Sequence, residues 1–203
     1  MWPFPPDRQH IDTPGQYRLR APSQRAAIVI RGLGFLASLA LIGVAIVWGA
    51  QQQPDTIPDV VFFANLPRNH TTQPVIYSHI PPAGGAHRPV WQNCGRYDEP
   101  IENAYAVHSL EHGAVWIAYR PDLSADALAQ LRDLLNGQTY TLLSPYPHLP
   151  TQVVATAWGA QLQVNSAADP RLPWFVTKYR QGAQTPEPDA ICSNSVGVPV
   201  AHS

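Results

Sequence analysis

Residues 114–135 read AVWIAYRPDLSADALAQLRDLL, and the fold is decided there. Ala114 to Tyr119 is a β-branched and aromatic run stopped by Arg120-Pro121, the pattern of a central strand. Ser124 to Leu135 then sets Ala127, Leu128, Leu131, Leu134 and Leu135 at helical spacing, with Ser124 placed to cap the first turn and Gly137 just past the last. Downstream, Thr139 to Leu143 and Gln152 to Trp158 are strand-like runs separated by Pro145, Pro147 and Pro150, which predicts an antiparallel pair. Asp169 to Arg180 carries Leu172, Phe175, Val176 and Tyr179 on one stripe and predicts a second helix, with Pro173 in its first turn. Upstream, Val60 to Phe63 and Val75 to Tyr77 are short apolar runs bounded by Pro and Asn, as strands or extended segments would be. The order β-α-β-β-α predicts an α+β domain: a mainly antiparallel sheet with two helices on one face, split-βαβ or thioredoxin-like.

Composition narrows the function. The chain has 203 residues, 45% hydrophobic and only 13% charged, with 22 prolines, which excludes a coiled coil and a charged disordered tail. The formal net charge is -1 and Lys178 is the only lysine, so no basic field exists to hold phosphate backbones, and nucleic-acid binding is excluded.

Ala26 to Trp48 reads AAIVIRGLGFLASLALIGVAIVW, and no charge appears from Gly32 to Gln53. About 20 apolar residues at a rise of about 1.5 Å span a hydrocarbon core of about 30 Å. Arg8, Arg18, Arg20, Arg25 and Arg31 precede the exit of this segment, and the first charges after it are Asp55 and Asp59. The positive-inside rule therefore puts the N-terminus in the cytoplasm and the bulk of the chain outside. Arg31 can snorkel to the headgroups, and Trp48 stands where an outer aromatic anchor belongs. A cleaved signal peptide is the rival reading, but the apolar run is too long and Trp48-Gly49-Ala50 is a poor cleavage site. The expected organisation is a Pro/Arg-rich cytoplasmic segment (1–25), a transmembrane helix (26–50), a tether (51–58), an extracytoplasmic α+β domain (59–192) and a C-terminal tail (193–203).

The outer part holds both cysteines, Cys94 and Cys192. In an oxidising compartment an even pair reads first as one disulfide, which would pin the tail Thr185-Pro186-Glu187-Pro188 onto the domain. The alternative is a thiolate ligand or redox thiol at Cys94, for which a CxxC spacing is missing.

Pro81 to Pro100 is loop chemistry, long enough to be a place to look for a site. It contains His87, and Val107-His108-Ser109-Leu110-Glu111-His112-Gly113 follows it. On a helix, His-x-x-Glu-His sets two imidazoles one turn apart, with a rise of about 6 Å, so both can reach one cation; on a strand the same steps span about 13 Å and they cannot. The stretch from Glu102 to His112 lacks glycine and proline, and Gly113 suits the position after a helix end. The candidate ligands of an ion are His87, His108, His112 and Glu111; copper or zinc suits imidazole, and the only methionine is Met1, so a Met-rich copper signature is lacking. The spacing also matches the inverzincin proteases, in which the glutamate is the general base. Those enzymes need a further carboxylate ligand, and Glu187 stands in a Pro-flanked tail. The plain alternative is that His108 and His112 are buried, hydrogen-bonded residues of a helix end, with Glu111 fixing a tautomer.

The blocks Pro81-Pro82 through Gly85 and His87, Cys94-Gly95-Arg96-Tyr97-Asp98, Val107 through Val115, Ala157-Trp158-Gly159, and Pro186-Glu187-Pro188 with Cys192 occur in one order. Together they resemble the bacterial membrane-anchored family known as domain of unknown function 3105, over roughly residues 55 to 192. Gly84-Gly85 stands where that family usually has Ser-Gly. The resemblance implies a single-pass anchor with an external domain and names no reaction.

No phosphate loop and no Gly-x-Ser-x-Gly elbow occurs. The expected function is a non-catalytic module at the outer face of the cell membrane. It would bind copper or zinc, or a partner such as another membrane or extracytoplasmic protein, with no catalytic residue assigned. The alternatives are a metal-dependent hydrolase using His-x-x-Glu-His and a structural subunit of a membrane complex.

Overall fold

The decisive stretch forms strand β3 (Val115–Tyr119) and helix α2 (Ala125–Leu134), and the rest of the chain is arranged around them. The computed structural model describes residues 56–200. The expected anchor, Ala26 to Trp48, and the cytoplasmic segment before it lie outside the described residues. Among the described residues no helix is long and apolar enough to cross a membrane.

In chain order the elements are β1 (Val61–Phe62), β2 (Gly95–Arg96), α1 (Asn103–Glu111), β3, α2, β4 (Thr141–Pro145), β5 (Val153–Ala157), β6 (Ala160–Val164) and α3 (Arg171–Tyr179). The sheet order is β1-β6-β5-β3-β4-β2. It is a mixed sheet: β1 with β6, β6 with β5 and β5 with β3 are antiparallel, whereas β3 with β4 and β4 with β2 are parallel. The fold is α+β.

The expected antiparallel pairing of the strands on either side of the proline turn does not occur. Helix α2 carries the chain back across the sheet, so β4 lies parallel to β3, as a crossover connection requires. Strand β5 then pairs with the other edge of β3, which separates β4 from β5. Val75 to Tyr77 forms no strand, and β6, which returns from β5 through Trp158-Gly159, completes a hairpin where Gly159 adopts φ +70°.

Strands β3, β4 and β5 are buried along their whole length, the signature of a sheet covered on both faces. Val115, Ile117 and Tyr119 of β3 pack with Leu131 of α2 and Leu172, Phe175, Val176 and Tyr179 of α3. Ser124 caps α2 by accepting a hydrogen bond from the Ala127 amide. The alternate residues of β3, Trp116 and Ala118, pack with Val107 and Leu110 of α1 and with Trp158. Among the described residues there are therefore three helices where two were expected for the domain: α2 and α3 share one face, and α1 covers the other. On that second face Trp116 donates to the Ser144 hydroxyl at 3.0 Å.

Cys94 and Cys192 are disulfide-bonded, 98 residues apart in sequence. The chain around this link is stitched further: the Cys94 amide donates to the Cys192 carbonyl at 2.7 Å, and Asn93 donates to the carbonyls of Ser195 and Gly197. The late segment is thereby held across the end of α1, where the Glu187 amide donates to the Glu111 carbonyl and the Ile191 carbonyl faces His112.

Candidate metal centre

Helix α1 reads NAYAVHSLE, with His112 as its C-cap. It stops in a Schellman arrangement: the Gly113 amide donates to the Leu110 carbonyl at 3.0 Å and the Ala114 amide to the Ser109 carbonyl at 2.9 Å. Gly113 has φ +93°, and a Cβ there would lie 3.0 Å from the Thr185 methyl and 3.1 Å from the Gln181 Cα. A helix running through the motif puts His108, Glu111 and His112 on one face at the C-terminal end, where the helix dipole favours cations.

That end is buried rather than exposed. His87 is 0%, His108 3%, Glu111 1% and His112 4% accessible, so each polar atom needs a partner. The ring Nδ1 atoms have them. His87 Nδ1 lies 2.7 Å from the Gly85 carbonyl, His108 Nδ1 2.6 Å from that of Arg88, and His112 Nδ1 2.7 Å from that of Ile191. A carbonyl only accepts, so each Nδ1 carries a proton and donates it. In the neutral imidazole this leaves Nε2 as a bare lone pair. The same arrangement orients metal-binding histidines, whose outer nitrogen is fixed by a carbonyl or carboxylate.

The Nε2 atoms of His87 and His70 lie 2.9 and 3.9 Å from Glu111 Oε2. His70, His87, His108 and Glu111 each offer one ligand atom within 4.8 Å of the others, and so do His108, His112 and Glu187. His87 Nε2 stands 2.9 Å from Glu111 Oε2, and neither atom has another hydrogen-bond partner. Two facing acceptors at that distance repel unless a cation, a proton or a metal ion, sits between them. The other carboxylate oxygen, Oε1, accepts from Arg68 Nε at 2.8 Å, and Arg68 also reaches Glu187 Oε1 at 3.6 Å. Trp91 flanks the second group, its ring 4.9 Å from that of His112 and 5.7 Å from that of His108.

Electrostatics match this geometry. Burial holds His108 down to about 4, although its bond to the Arg88 carbonyl opposes the shift; His112, His87 and His70 nearby lower it further. At neutral pH His108 is therefore an uncharged donor of electrons. Burial alone would raise the Glu111 carboxyl, but the His87 ring and the Arg68 guanidinium beside it outweigh that and bring it to about 2, so the group is a carboxylate.

The site's neighbours explain the rest of the motif. The Ser109 hydroxyl donates to the Gln92 carbonyl at 2.7 Å and ties α1 to the loop that carries Trp91. Gly84 adopts φ +142°, which L side chains rarely adopt, and a Cβ there would sit 2.7 Å from Leu66 Cδ1 and 3.3 Å from the Trp158 ring, so the turn leading to His87 favours glycine. The expected trio of His87, His108 and His112 is divided between two groups that share His108. His70 completes the first; its stretch pairs with the His87 loop through a parallel bridge, and Thr71 donates to the His87 carbonyl. Sequence reasoning does not single out His70, which stands alone in an irregular stretch. Glu187, set aside as part of the tail, lies with its Oε2 3.6 Å from His112 Nε2. The order of the blocks and the cysteine pair were the signals that could have placed it there.

The chain belongs to the family described as "Protein of unknown function (DUF3105)", whose model matches residues 69–194 and so takes in both histidine groups and both cysteines. No curated protein and no solved structure matches the chain.

Proposed function

We propose that this member of the family is a non-catalytic module that holds one transition-metal ion, zinc or copper(II), in the group formed by His70, His87, His108 and Glu111. One observation carries the reading: the buried rings of His87 and His108 both spend their Nδ1 protons on backbone carbonyls, and His87 Nε2 faces a Glu111 oxygen at 2.9 Å with no other partner for either atom. Three imidazoles and a carboxylate suit either metal. Ligands on a tetrahedral ion with bonds of 2.0 to 2.1 Å lie about 3.4 Å apart, so the group, whose ligand atoms lie within 4.8 Å of one another, closes around an ion by a contraction of up to about 1.4 Å. His70 is the half-exposed member, 46% accessible, and supplies most of that movement.

Glu111 lies among the ligand atoms and carries Arg68 on its other oxygen, so a ligand's role fits it better than that of a general base acting on water. The histidines are gathered rather than dispersed, which favours ion binding over a purely structural subunit. The disulfide fits an oxidising compartment, and with the apolar stretch from Ala26 to Trp48 it supports a domain anchored at the outer face of a cell membrane. Other membrane or extracytoplasmic proteins are its natural partners there.

The test is elemental analysis of the full chain in detergent, incubated with zinc or copper(II) and desalted, beside His87→Ala and His108→Ala. One ion per wild-type chain and far less in both variants is expected. A wild-type chain that keeps neither metal refutes the proposal.

A further inference from the structure

We infer that the second group, His108, His112 and Glu187, is an entry position for the same ion, which passes to the buried group by exchange on His108; this rests on the metal-binding reading above. The two groups differ in access. Glu187 is 43% accessible, whereas His87 and Glu111 are 0% and 1%. An ion arriving from solvent meets a carboxylate first, then His112, and only then the closed group.

His108 belongs to both sets, and its chemistry forbids serving both together. Its Nδ1 is committed to the Arg88 carbonyl at 2.6 Å, so a single lone pair on Nε2 is available. One ion at a time therefore occupies the pair of groups. An ion held by Glu187, His112 and His108 moves inward by keeping the His108 bond while it trades the other two ligands for Glu111, His87 and His70. No step requires a bare ion.

Arg68 connects the two ends. Its guanidinium binds Glu111 Oε1 at 2.8 Å and approaches Glu187 Oε1 at 3.6 Å, and it is half-exposed. An ion on Glu187 competes for that carboxylate and repels the guanidinium, which frees Glu111 to accept the incoming charge. Trp91, packed on both outer rings, reports arrival: copper(II) quenches indole fluorescence at short range.

The experiment is stopped-flow mixing of the metal-free full chain in detergent with copper(II), followed by tryptophan fluorescence, with Trp91→Phe to identify the Trp91 signal. The wild type is expected to show a fast Trp91 quench, then a slower phase, and one ion per chain at the end. Glu187→Gln, at a half-exposed position, is expected to load at least tenfold more slowly. His87→Ala is expected to keep the fast quench and lose the slow phase. Loading of Glu187→Gln at the wild-type rate, or two ions per wild-type chain at saturation, overturns the relay while leaving the buried site standing. A wild type that binds no copper(II) and no zinc overturns both.

Discussion

Acid is expected to destabilise the metal-free chain in a window set by His108. In the folded protein this ring titrates near 4 because it is buried, whereas an exposed histidine titrates near 6.5. Below pH 6.5 the unfolded chain takes up a proton that the folded chain refuses. Stability is therefore intact above pH 6.5 and falls with pH until the folded ring titrates near 4. A separation of about 2.5 pKa units corresponds to roughly 3 kcal/mol at about 1.4 kcal/mol per unit. For a chain of this size each kcal/mol moves the melting midpoint by about 2–4 °C, so His108 alone accounts for a fall of roughly 6–12 °C. Glu111 has the same sign in a lower window: its carboxyl is held near 2, so its contribution is present above about 4.5 and lost as pH falls towards 2. The assay is calorimetric melting with EDTA at pH 7.5, 6.5, 5.5 and 4.5, wild type against His108→Asn. Asparagine retains a donor for the Arg88 carbonyl but does not titrate. The variant is expected to show a shallower dependence between pH 6.5 and 4.5. A variant slope equal to that of the wild type would refute the burial argument for His108.

Two further predictions concern the frame that holds the site. Gly113→Ala forces a side chain into φ +93° against Thr185 and Gln181. It is expected to cost about 1–3 kcal/mol in urea denaturation, and a change under about 0.5 kcal/mol would show that the helix end does not need glycine. Replacing both Cys94 and Cys192 by serine reopens a loop of 98 residues. It should lower stability by up to about 4.7 kcal/mol and make the 185–195 segment sensitive to proteases, whereas an unchanged cleavage pattern would mean that the surrounding hydrogen bonds suffice.

The elements that sequence makes legible are those with a local signature. Helices α2 and α3 each present an apolar stripe to one core and a polar face to water, and both lie where periodicity puts them. Strand β3 is legible as an apolar run with a proline stop. Pairing is another matter, because the partners of β3 depend on the crossover through α2, and adjacency in sequence wrongly joins β4 to β5. Helix α1 hides for a different reason. Seven of its residues, Ala104 and Ala106 through Glu111, are buried, so no polar face is left to reveal a period. Its charged and imidazole groups turn into the protein, towards segments far away in sequence.

That concealment bears on function. A short helix gains little from burying a carboxylate and three imidazoles, each of which loses water on entry. Hydrogen bonds to Gly85, Arg88 and Ile191 satisfy only the Nδ1 side of the rings, and Arg68 satisfies only one oxygen of Glu111. A purely structural helix end would place apolar side chains here, as α2 does with Leu131 and Leu135. The remaining lone pairs face one another across a space that His70 enters from one side and Glu187 from the other, and both are carried there by segments tied down independently, one by the bridge to His87 and one by the disulfide. Convergence of four segments on one set of electron donors is what a cation requires, and hydrophobic packing alone gives no reason for it.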